Sequence, residues 1–290
     1  MKLKLIAILC SGIFLMTGCG GGSDSQSSAD QGTPGGNNQN NESSEAQVLA
    51  KVETSSGIAL RETLMEGIVD TLVYGMDEIG ESIPCKTGSW KQTGTVITLD
   101  KCTGIFESEA SAVANGSIDV SAGYNFQDLN LAFPDGTTQI IKGKLLSTDS
   151  EILTQFKSDQ IDILVKEPNG KGGFQSVSYV LSDYQLDWTP QGAADIKNQV
   201  KGKVKSTGRE GGDINIAFDN SATPYLFKTD AEGEVVGYPY SGVLNIQDLT
   251  DSTSTISISY LDAQNAIFKA IVKNKLLFDK TATWESLLEL

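Results

Sequence analysis

The chain has 290 residues, with 37 Asp and Glu against 22 Lys and Arg, a formal net charge of −15, and no histidine. Such an acidic balance argues against nucleic acid or an anionic lipid surface as a partner. The lack of histidine removes the commonest general base, the Ser-His-Asp and Cys-His constellations, and most zinc sites.

The first element is a leader. Lys2 and Lys4 precede a mostly apolar run from Leu5 to Met16. That run is too short to cross a ~30 Å hydrocarbon core as a helix, which takes about 20 residues, so residues 1–18 are predicted to be a secretory signal peptide. The run ends in Leu15-Met16-Thr17-Gly18-Cys19, which resembles the signal of a bacterial lipoprotein, with Met16 where such signals usually carry Leu, Val or Ile. The resemblance implies acylation of Cys19, as by palmitate, and attachment to a membrane without spanning it. The alternative is plain cleavage that leaves a free Cys19. Gly20 in place of Asp implies sorting to the outer membrane, with the body facing periplasm or cell surface. The Cys-Gly-Gly-Gly-Ser start is similar to that of many gammaproteobacterial lipoproteins. The stretch from Tyr240-Ser-Gly-Val-Leu to Thr283-Trp284-Glu-Ser-Leu resembles the ends of β-rich proteobacterial lipoproteins, which bring no activity with them.

Residues 19–47 are rich in Gly, Ser, Asn, Gln and Asp. They bury too little surface to offset their ordering entropy and are expected to be a flexible linker with an end-to-end distance of roughly 30 Å. Residues 48–290 are expected to form a single domain. Its first element is an amphipathic helix over 56–79, in which Ile58, Leu64, Met65, Ile68, Val69, Leu72, Val73, Met76 and Ile79 recur at helical spacing. Ser55 or Ser56 can cap its start, and Gly80 and Pro84 punctuate its end. A stripe this wide is read as a core face.

Beyond Pro84 the apolar period becomes two. Strands are predicted around Val96–Leu99, Ile118, Phe126, Leu131, Ile163, Tyr179, Leu186, Ile216, Ile246, Ile258 and Phe268, with polar residues between the apolar ones. Parity flips between Leu181 and Tyr184, which requires a bulge or tight turn at Ser182-Asp183. Turns are read at Asn115-Gly116, Pro134-Asp135-Gly136, Asn169-Gly170, Gly211-Gly212-Asp213 and Glu232-Gly233. Gly116-Ser-Ile, Gly143-Lys-Leu, Gly202-Lys-Val and Gly242-Val-Leu are taken as four similar strand starts. Short helices are allowed at 193–199 and 284–290. The fold expected is mainly β: a large curved antiparallel sheet of ten or more strands, or a partly open barrel, with one N-terminal amphipathic helix on its apolar face.

Of four cysteines, Cys10 is expected to leave with the leader, and the resemblance implies that Cys19 carries lipid. Cys85 and Cys102 remain as an even pair in an oxidising compartment and are expected to form a disulfide. No Gly-x-Gly-x-x-Gly, phosphate loop or Ser-x-x-Lys occurs. Carboxylate-pair hydrolysis stays chemically open, but no pair of acids stands out. Asp230, Glu232 and Gly233, and Asp248 and Asp251, lie in turns that do not match a calcium loop. The expectation is therefore no catalytic, cofactor-binding or metal-binding residues, and no enzyme. Without the leader the chain carries 20 basic residues (22 less Lys2 and Lys4) against 37 acidic ones, a charge of −17. The expected function is a non-enzymatic interaction or structural module of the cell envelope. The alternative is a carrier of a hydrophobic ligand or lipid with a half-barrel-like cavity. The partners implied are the outer membrane through the anchor, and an envelope protein or an apolar ligand.

Overall fold

The computed structural model describes residues 39–106, 112–169, 172–209 and 212–290. The leader, Cys19 and the linker up to residue 38 lie outside the described residues. Fifteen strands form one antiparallel sheet: β1 (Ser89–Thr93), β2 (Val96–Thr103), β3 (Val113–Asp119), β4 (Tyr124–Ala132), β5 (Thr138–Ser150), β6 (Leu153–Pro168), β7 (Phe174–Pro190), β8 (Asp195–Thr207), β9 (Asn215–Asp219), β10 (Tyr225–Thr229), β11 (Val235–Ser241), β12 (Val243–Asp248), β13 (Thr255–Tyr260), β14 (Asn265–Val272) and β15 (Lys275–Thr283). Neighbours in space are mostly neighbours in sequence. The exception is the β10–β11 hairpin. It pairs with the first residues of β8, while β9 takes the rest of β8 and pairs on to β12. Among the described residues, β1 and β15 end the main path and β11 ends the side branch, and the sheet does not close into a barrel.

Each strand alternates as the period of two requires. In β8 the buried residues are Ile196, Asn198, Val200, Gly202, Val204 and Ser206, with Lys197, Lys201, Lys203 and Lys205 facing outward. Segment 193–199, which sequence patterning left open to a helix, is mostly strand, because the alternation Ile196, Asn198, Val200 suits one buried face and not a helical stripe.

The bulge expected at Ser182-Asp183 is present, with Asp183 at φ 50°. It belongs to a series. Ladder shifts occur at Leu99/Cys102, Asn115/Ser117, Phe126/Leu129, Gly143/Leu146 and Ser182/Gln185. The registers connect them across the sheet through Leu99↔Gly116, Phe126↔Gly143, Gly143↔Ile161 and Ile161↔Leu181. A line of bulges bends every strand it crosses in the same sense and curls the sheet.

This crease corrects two readings of the sequence. Asn115-Gly116 is not a turn, and Gly116, Gly143 and Gly202 do not start strands; all three lie inside them. A Cβ at Gly116 would sit 2.5 Å from the Asp128 carbonyl oxygen, and one at Gly143 would sit 2.4 Å from that of Gln160. At the crease, backbones approach too closely for a side chain.

The helical segment also differs from its expected form. It begins earlier, at Gln39, and is broken in two: α1 (Gln39–Leu64) and α2 (Ile68–Gly80). Residues 39–47, read as linker, are thus the first turns of α1. Ser55 and Ser56 are buried within the helix instead of capping it, and Ser56 Oγ donates to the Val52 carbonyl at 2.7 Å. Both helices lie on the concave face. Ala59, Leu60, Leu64, Val69, Leu72, Met76 and Ile79 are buried there among Ile118, Leu129, Leu145, Leu186, Trp188 and Phe218. A short α3 (Trp284–Leu288), capped by Thr283 Oγ1 accepting from Ser286 N–H, packs its Trp284 and Leu287 into the same core. Gly57 allows this: a Cβ there would lie 2.6 Å from the Leu290 carbonyl oxygen.

Candidate functional site

Cys85 and Cys102 are bonded as expected, with Cα atoms 5.2 Å apart. The pairing strands β1 and β2 bring them together: Cys102 lies near the end of β2, and Cys85 just before β1. The acidic turns are closed on themselves. Asp230 Oδ1 accepts from the Glu232 and Glu234 N–H groups, Asp248 accepts from Thr250 and pairs with Lys51 at 2.7 Å, and Asp251 accepts from Thr253 and Ser254. Among the described residues, no three Asp, Glu, Cys or His side chains converge in a way that could hold a metal ion.

The most unusual chemistry lies where the helical segment breaks. Met65 turns into the left-handed region at φ 59°, and the Glu66 N–H reaches back to the Arg61 carbonyl at 2.9 Å. This closes α1 in the manner of a left-handed helix end. α2 then starts at Ile68, with Gly67 at its N-cap position offering no side chain. The cap comes from α1 instead. Glu62 Oε1 accepts the Ile68 N–H at 2.9 Å, satisfying an amide that would otherwise lack a partner at a helix start. Gly67 is required by this arrangement, since a Cβ there would lie 2.3 Å from Glu62 Oε1.

The junction is polar and partly buried. Glu62 is buried, at 7% exposure, and its Oε2 has no hydrogen-bond partner. Tyr184 Oη donates to the Glu62 carbonyl at 2.9 Å, and Asn198 Nδ2 donates to the Thr63 carbonyl at 2.9 Å, so β7 and β8 hold the last turn of α1. Arg61 Nη1 donates to the Leu288 carbonyl at 2.6 Å, joining the junction to α3. Burial pushes the Glu62 carboxyl up to about 7, against the opposing pull of the Ile68 and Val69 N–H groups and the Arg61 guanidinium. Burial, with the charges of Glu66 and Glu62, also pushes Asp70 up to about 7. Tyr184 is held well above its ordinary range, mainly by burial and then by the charges of Glu62 and Asp70. Sequence patterning did not single out these residues. The available signal was the four-residue spacing of Glu62, Glu66 and Asp70, which places three acids along one side of a segment dominated by its apolar stripe.

A second feature is a groove of about 400 Å³ between α1 and β15, lined by Glu45, Ala46, Leu49, Leu277 and Phe278. It lies outside the packed concave core. No described helix is long and apolar enough to cross a membrane. The chain is thus a mainly β protein built on one open antiparallel sheet with helices on its concave face. No protein family, curated protein or solved structure matches it.

Proposed function

We propose that this chain is a lipid-anchored protein of the bacterial cell envelope, held to the outer membrane through Cys19, whose β body acts as a non-enzymatic interaction or structural module. The observation that supports the body's role is the occupied concave face. Leu60 and Leu72 are 0% exposed, and Val69, Met76 and Ile79 fill the space between them and the strands. A curled sheet that carried a ligand there would need an apolar cavity of several hundred Å³ open to solvent. The alternative, a carrier of an apolar ligand, draws on the groove between α1 and β15, whose walls include Leu49, Leu277 and Phe278.

Two measurements test the proposal. Replacing Cys19 by Ala should move the protein out of the membrane fraction; retention after a high-salt wash would refute the anchor. Replacing Leu72 by Ala should cost ~2–5 kcal/mol, as deletion of a buried large side chain does. A loss below ~1 kcal/mol, together with uptake of a hydrophobic fluorescent probe, would instead favour the carrier.

A further inference from the structure

The junction between α1 and α2 combines three features that a passive helix bend does not need. A carboxylate from one helix, in place of the local N-cap residue, caps the next. One oxygen of that carboxylate is buried without a partner. A second acid, Asp70, stands in the first turn of the helix being capped. We propose that Glu62 and Asp70 form a proton-binding site that ties the seating of α2 on the sheet to pH.

The groups facing the site can be named from each element around it. Arg61 belongs to α1, Glu66 to the connection, and Asp70 to α2. From the sheet come Tyr184, which donates to the Glu62 backbone, and Tyr179, which with Arg209 lies within electrostatic reach of Arg61. Arg61 is the cation nearest Glu62, but its Nη1 is directed to the Leu288 carbonyl. Glu62 is buried and Asp70 half-buried, and the Glu62 charge acts unfavourably on Asp70, so a proton relieves both the repulsion and the burial of charge. While α2 is in place, the Glu62 carboxylate is held by the Ile68 N–H it caps, in the space that the missing Gly67 side chain leaves open. Movement of α2 would expose both carboxyls to water, and the break at Met65–Gly67 supplies the hinge.

The direction follows from linkage. With α2 seated, Glu62 and Asp70 hold their protons up to about 7. With α2 released into water they would lose them near ordinary carboxyl values, about 4. Each proton released on opening makes opening rise about tenfold per pH unit inside that window, levelling off above it.

Hydrogen exchange followed by mass spectrometry on the folded chain tests this. Opening of α2 amides, corrected for the intrinsic pH dependence of exchange, should increase at least about tenfold from pH 5 to 7 and flatten above pH 7. Glu62→Gln keeps the shape and an acceptor oxygen but holds no titrating proton, so its α2 profile should lose about half its slope, Asp70→Asn should do the same, and the double variant should be nearly flat. Carbon-13 NMR of the side-chain carboxyls in the unmutated protein supplies the second readout, with two carboxyls titrating near 7. A pH-independent α2 in the unmutated protein, an unchanged slope in Glu62→Gln, or no carboxyl titrating above 6 would each overturn the proposal. None of these outcomes depends on the anchor or on any partner.

Discussion

The main run of the sheet ends in two edges, β1 and β15, and they are protected by different means. β1 is five residues long and mostly polar outside, with Trp90 half-buried and its indole N–H donating to the Ile83 carbonyl at 3.3 Å. The Cys85–Cys102 bond fixes the segment leading into it. β15 is nine residues long and leaves Leu276 61% and Leu277 39% exposed. It has no covalent tie. Phe278 packs edge-on to Phe268 at 4.7 Å, and Lys280 lies 4.7 Å from the Phe278 ring. A bulge interrupts its ladder with β14, and the chain then turns into α3, where Trp284 is buried between Tyr225 and Tyr238. An open sheet must keep both edges from pairing with other chains. Here one edge is short, polar and stapled, while the other is long and apolar and relies on flanking lysines, a bulge and an aromatic anchor.

That contrast can be broken most severely at Trp284. Its replacement by Ala should cost ~3–5 kcal/mol, the range for deleting a buried large aromatic, with hydrogen exchange rising in β15 and α3. A loss under ~1 kcal/mol in urea unfolding would mean that the aromatic anchor does not hold this edge. At the opposite edge, replacing both Cys85 and Cys102 by Ser should cost ~3 kcal/mol, as expected for a bridge closing a loop of this length. The added exchange should be confined to β1 and β2; equal loosening of β15 would show that the edges are not independent.

A pH series sharpens the comparison by acting on the centre, which both edges share. Glu62 and Asp70 have folded values raised to about 7 from ordinary values of 4.5 and 3.8. Their protons are therefore held more tightly in the folded state. The associated stability is complete below about 4 and is lost as pH rises towards 7, with a plateau above. Asp119, Asp251 and Asp262 are held below the ordinary range by local hydrogen bonds, and Asp183 by its hydrogen bond and charge pairing with Lys203, so they act in the opposite sense, at lower pH. Urea midpoints at pH 5 and 7.5 check the sign, and a higher midpoint at 7.5 would contradict it. The smallest effect is expected from Leu277→Lys. Stability should change within about 0.5 kcal/mol, as at other exposed sites, while concentration-dependent light scattering should fall if this edge is the sticky one.

The sheet was legible because one wetted and one buried face impose a period of two, and this pattern survives in nearly every strand. β5 and β8 were harder to read. Gly143 and Gly202 look like punctuation in the sequence, whereas in the fold they mark where strands crowd at the crease; that crowding depends on partners such as Gln160 and Phe218, far along the chain. Asp183 could be inferred because the parity flip occurs within one strand. Asp128 shows the same flip, between Phe126 and Leu129, and received no such reading. The helix break was hidden for another reason. Apolar residues continue through Met65, Ile68 and Val69 without interruption, and only Gly67 and the spaced acids mark the change. The junction's chemistry arises from burial, which no local pattern specifies. The Cys85–Cys102 bond, by contrast, needed only a count of cysteines and the expectation of an oxidising compartment.

The strand order carries a consequence for how the chain assembles. Because nearly every strand pairs with the one before it, the sheet can grow by successive hairpins, each closing a short loop. The helices break this locality. α1 comes first in sequence, yet it packs against β8 and β12, and those strands lie more than a hundred residues downstream. Its docking belongs to the last stage of folding. Until then a curled, apolar trough stands open, and the interval before α1 settles is when the chain is most exposed to aggregation.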